Sequence, residues 1–68
     1  MNFRQESPAN KYLESIHTAQ SELARRHISR DEFIDTLGQI YRLAMMDSDI
    51  SEVEFGFIRA IYEVARVE

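Results

Sequence analysis

One six-residue frame occurs twice in this chain: Ile28-Ser29-Arg30-Asp31-Glu32-Phe33 and, twenty-two residues later, Ile50-Ser51-Glu52-Val53-Glu54-Phe55. Each Ser-x-x-Glu reads as a capping box, in which the Ser hydroxyl accepts from the backbone N–H three residues on and the Glu carboxylate reaches back to the Ser N–H. The Ile before each Ser and the Phe four residues after it add a hydrophobic staple. Two helix starts are therefore written locally. The likeness continues in Ile40-Tyr41-Arg42-Leu43-Ala44 against Ile61-Tyr62-Glu63-Val64-Ala65, now twenty-one apart. Two copies make a pair of similar helices, not a solenoid.

The rest of the chain supports an all-α reading. Two Gly and one Pro stand among 68 residues, and apolar positions recur at three and four, the helical period. A first helix is expected at about 8–26, with Ser7 as cap and Pro8 in the first helical position. It lines up Tyr12, Leu13, Ile16, Ala19, Leu23 and Ala24. The second spans about 30–46, turning in Phe33, Leu37, Ile40, Tyr41 and Ala44; Asp47-Ser48-Asp49 ends it by competing for backbone hydrogen bonds. The third spans about 52–66. Residues 1–6 carry no such pattern and are expected to be a flexible segment ahead of a single helical domain at 7–68. No Gly or Pro separates helices 1 and 2, which leaves a continuous bent helix as the alternative there.

The third helix implies a partner. Its polar residues Glu52, Gly56, Arg59, Glu63 and Arg66 step by four, three, four and three, drawing one narrow stripe. Nearly everything else on the helix is apolar, beyond the stripe of ~100° that a surface helix commonly buries. One sector can pack on helices 1 and 2. The surplus is expected to form an interface, with Phe57, Ile58, Ile61, Tyr62 and Val64 as its dimer or partner residues. A small chain with no Cys has neither disulfides nor a Cys-based metal site to reinforce it, and association is the usual remaining device. A two-fold homodimer built through helix 3 is expected.

The acidic stretch 47–54 invites comparison with a calcium loop. An EF-hand needs oxygen ligands at positions 1, 3 and 5 and Gly at 6. With Glu54 at position 12, Leu43 and Met45 would fall at positions 1 and 3 and Ser48 at 6, so chelation of that type fails. The same eight residues resemble the Asp-Gly-x-Ile-Ser-x-x-Glu signature of tellurite-resistance TerB-like helical domains, with Asp47 and Glu54 on its acidic positions and Ser48 in place of its Gly. Capping alone accounts for Ser51 and Glu54, and no metal or cofactor is expected. Asp47, Asp49 and Glu52 are instead candidate acidic contacts for a protein partner.

Charge is divided along the chain. Residues 1–30 hold five Lys/Arg and three Glu, while 31–68 hold three Arg and nine Asp/Glu, for a net −4. Arg25, Arg26 and Arg30 form the one basic cluster, a candidate phosphate contact. Basic residues at a helix C-terminus and acids in first turns are also what the helix dipole favours. The acidic turn before helix 3, and the Glu52, Glu54 and Glu63 that follow, do not suit a recognition helix. Nucleic acid is thus the alternative partner rather than the expected one.

No catalytic set is visible. His17 and His27 lie ten apart and nearly opposite in helical phase, and nucleophile, base and orienting group are not found together. Tyr41, Tyr62 and the pair Met45-Met46 read as core-edge residues that could also serve contacts. The expectation is a small acidic, non-enzymatic protein-interaction factor, a regulator, inhibitor or adaptor that binds a larger protein. The start of the chain shows no apolar signal core and no run suits a membrane span, so a cytoplasmic site is expected. Chains of this profile are common among bacterial and phage accessory proteins, an association rather than a deduction.

Overall fold

The computed structural model describes residues 9–67, so the Ser7 cap, the Pro8 position, the 1–6 segment and Glu68 lie outside the described residues. The fold is all-α: α1 (Asn10–Ala24), α2 (Arg30–Met45) and α3 (Glu52–Val67). Both capping boxes form. Ser29 Oγ accepts from Glu32 N at 3.1 Å while Ser29 N donates to Glu32 Oε1 at 2.8 Å. Ser51 repeats this with Glu54, at 3.1 Å and 3.0 Å. Ile28, Ile50 and Phe55, three of the four staple residues, pack against the core, to which the fourth, Phe33, belongs.

α1 and α2 are separate helices, and the break needs no glycine. Arg26 takes the left-handed conformation at φ 63°. Its N–H donates to Leu23 O at 3.0 Å and the N–H of His27 to Glu22 O at 2.9 Å, the two bonds of a Schellman motif. The apolar contact that usually accompanies the motif is replaced by a polar one, His27 Nδ1 to Glu22 Oε1 at 3.1 Å. The first helix therefore stops at Ala24, two residues short of the sequence expectation.

α2 is the central helix and packs on both neighbours. It contributes Phe33, Leu37, Ile40 and Ala44 to a core completed by Tyr12, Ile16 and Ala19 of α1 and Ile58 of α3. Leu37 and Ile58 are the largest side chains sealed completely. On the α3 side the ring of Tyr41 lies between Phe55 and Tyr62, with centroids 5.4 and 5.2 Å away. Gly38 lies against this stack: a Cβ there would meet the Tyr62 ring at 3.4 Å, the near limit of ordinary contact. An open groove of about 610 Å³ lies between α1 and the C-terminal half of α3, lined by Gln20 and Leu23 on one side and Ala60, Ile61, Val64 and Ala65 on the other.

Candidate interaction surface

α3 divides into three sectors. The inner one carries Ile58, fully buried, with Ile61, Tyr62 and Ala65 half-buried beside it. The second is the polar edge of Glu52, Arg59, Glu63 and Arg66. The third is apolar and faces outward: Val53, Phe57, Val64 and Val67 are 71, 62, 53 and 80 % exposed. With the exposed Ala60 they step by four, three, four and three along the whole helix, the spacing of a coiled-coil seam.

The five residues expected at an interface are thus split. Phe57 and Val64 are on the outer seam. Ile58 belongs to the chain's own core, because a position one residue on from Phe57 is turned by about 100°. Tyr62 is held by Tyr41 and carries the Arg66 guanidinium 5.4 Å from its ring centroid. Ile61 lines the groove, whose walls are Leu23 of α1 and Ile61 and Val64 of α3, with Phe33 of α2 beneath. Val53 and Val67 complete the outer seam, and sequence reasoning missed both; their step from Phe57 and Val64 was the available signal.

The acidic candidates separate in the same way. Asp47 is committed internally: its Oδ2 accepts from the Tyr12 hydroxyl at 2.6 Å and its Oδ1 from Asp49 N at 2.9 Å. Lys11 Nζ stands 3.8 Å from the same Oδ2. The Tyr12 hydrogen bond, then that from Asp49 N, holds the Asp47 carboxyl below its ordinary range, and the same Tyr12 bond raises the phenol. Asp47 is a brace rather than a free contact. Asp49 and Glu52 are exposed. Glu52 lines a shallow hollow with Met45, Ile50 and Phe55, and Met46 is exposed close by in sequence. The α2–α3 corner therefore joins acid with flexible apolar side chains.

The basic cluster is divided too. Arg25 and Arg26 are exposed at the end of α1. Arg30 Nη2 donates to Ala65 O at 2.9 Å, satisfying one of the carbonyls that the last turn of α3 leaves without an intrahelical donor. It ties the start of α2 to the end of α3. His17 is exposed on α1 and His27 is engaged by Glu22. Among the described residues no group of three or more His, Cys, Asp or Glu could hold a metal ion, and no helix is long and apolar enough to cross a membrane.

No family model, curated protein or solved structure matches the chain.

Proposed function

We propose that this chain is a small acidic protein-interaction factor, a regulator, inhibitor or adaptor, that associates with itself through α3 and binds a larger protein at the α2–α3 corner. The observation that carries this reading is the uncovered apolar surface that remains after the core is filled, on the outer seam of α3 and at Met45 and Met46. Contiguous apolar exposure of this kind marks binding surfaces. Met side chains adapt to varied partners, and the rim of Asp49 and Glu52 suits a basic, partly apolar target by complementarity of charge.

The test compares tagged wild-type protein with Met46→Glu and with the double variant Asp49→Lys, Glu52→Lys. Proteins captured by the wild type are identified by mass spectrometry, purified, and titrated against all three. Saturable binding that is lost in both variants supports the reading; binding unchanged in both removes the corner from it. The alternative, a nucleic-acid-associated regulator, would rely on Arg25 and Arg26, since Arg30 is engaged by Ala65. It predicts a DNA affinity that falls steeply with salt and disappears in Arg25→Gln, Arg26→Gln.

A further inference from the structure

We infer that α3 pairs with α3 of a second copy in the antiparallel sense, about a two-fold axis passing beside Ala60, with Phe57 of each copy entering the groove of the other. The inference rests on the self-association proposed above and adds its direction, register and anchor.

The outer seam selects the geometry. Centred on Ala60, an antiparallel pair sets Ala60 against its own copy and Val53 against the partner's Val67, and brings Phe57 within one residue's rise, about 1.5 Å, of the level of the partner's Val64. The smallest seam residue then lies at the crossing point and the larger ones pair to either side. Val64 is also a wall of the 610 Å³ groove. Phe57 leans toward the edge of the seam on which that groove opens, because it lies about 40° round from Val53 at 100° per residue. In an antiparallel two-fold pair like edges meet, so the exposed Phe57 ring arrives over the space between Leu23, Phe33, Ile61 and Val64. The contact is reciprocal, as a two-fold interface requires.

Charge on the other edge agrees. It reads Glu52, Arg59, Glu63, Arg66, with an acid at one end and a base at the other. Reversal of the second copy sets each acidic end beside a basic end and brings the partner's Glu63 alongside Arg59. Gly56 lies on this edge with nothing within 4 Å of where its Cβ would be, leaving space for the incoming carboxylate. The exposed pair of Arg66 with Glu63 at 3.7 Å within one chain is of the weak kind that exchanges readily. In a parallel pair the charged edge would meet the edge of Glu54 and Ile61, and the complementarity would be lost.

The absence of native Cys makes the test direct. Ala60→Cys, Val53→Cys and Val67→Cys are made singly on exposed positions, folding is checked by circular dichroism, and mass is measured by sedimentation before mild oxidation. The antiparallel register predicts a dimer in which Ala60→Cys cross-links to itself. Val53→Cys and Val67→Cys should then cross-link in a mixture in preference to either alone. A dimer in which Val53→Cys cross-links to itself and not to Val67→Cys overturns the antiparallel inference and leaves self-association through α3 standing. A dimer in which none cross-links removes both the inference and the α3 interface. A monomer at every concentration removes self-association itself.

Discussion

The Tyr12 hydroxyl donates to Asp47 Oδ2 at 2.6 Å, joining the first turn of α1 to the second residue beyond α2. The other oxygen of the same carboxylate receives the Asp49 N–H at 2.9 Å and so shapes the turn into α3. One side chain thereby fixes where α1 begins to pack and how the chain leaves α2. A hydrogen bond to a charged acceptor is stronger than a neutral one, and this one spans thirty-five residues.

Tyr12→Phe should lower the melting temperature at neutral pH while leaving the helical signal intact. The Asp47 carboxyl is held below its ordinary pKa by Tyr12 and Asp49 N. Its contribution is therefore present above the unfolded value of about 4 and is lost as pH falls through the depressed folded value. Because Tyr12 is raised by the same bond, its contribution is present below about pH 10 and is lost as pH rises through the folded value. Melting curves of wild type and Tyr12→Phe should converge at the acid and alkaline extremes and separate most between them. A separation that persists undiminished at pH 2 would rule out Asp47 as the charged acceptor.

Arg26→Gly should stabilise the fold. A non-glycine residue in the left-handed region costs roughly 1–2 kcal/mol, and glycine's greater freedom in the unfolded chain takes back about 0.5–1 kcal/mol. A net gain of about 0.5–1 kcal/mol in urea unfolding is expected from that difference. Loss of stability would mean that the Arg26 side chain holds something the backbone geometry does not reveal.

The two capping boxes should behave as equals. Ser29→Ala and Ser51→Ala each remove an acceptor for a helix N–H and should each cost about 1 kcal/mol. The helix starts do not share partners, so the double variant should lose about the sum. Glu54→Gln should be mild, since Gln also completes a capping box.

Adjacent residues on α3 should differ sharply. Ile58 is fully buried and Phe57 is largely exposed, so Ile58→Ala should cost about 2–5 kcal/mol. Phe57→Ala should change the stability of the isolated chain by no more than about 0.5 kcal/mol. Its effect should appear in self-association. Urea unfolding at low protein concentration separates the two.

The sequence disclosed what is decided locally. The boxes at Ser29 and Ser51 need only residues three apart, and both form. The inward faces of α1 and α2 were largely legible because Tyr12, Ile16, Ala19, Phe33, Leu37 and Ala44 follow one helical phase, although Leu13 and Ala24, placed on the same side of α1, are exposed. The end of α1 was blurred because Arg26 adopts a conformation normally signalled by Gly. α3 was harder still: with apolar residues around most of its circumference, phase alone could not say which sector faced α2. Ile58 was thus grouped with the outward residues, and Val53 and Val67 were left out. The Tyr12–Asp47 and Arg30–Ala65 bonds join residues far apart in sequence, and no local pattern announces such pairs.

Sedimentation equilibrium of the wild-type chain and of Phe57→Glu, across a wide concentration range, tests self-association through the outer face of α3 most directly. The wild type should approach twice the 8.0 kDa chain mass as concentration rises, and Phe57→Glu should stay folded and monomeric. A wild type that remains at the single-chain mass throughout, or a folded Phe57→Glu that dimerises as readily as the wild type, would contradict it.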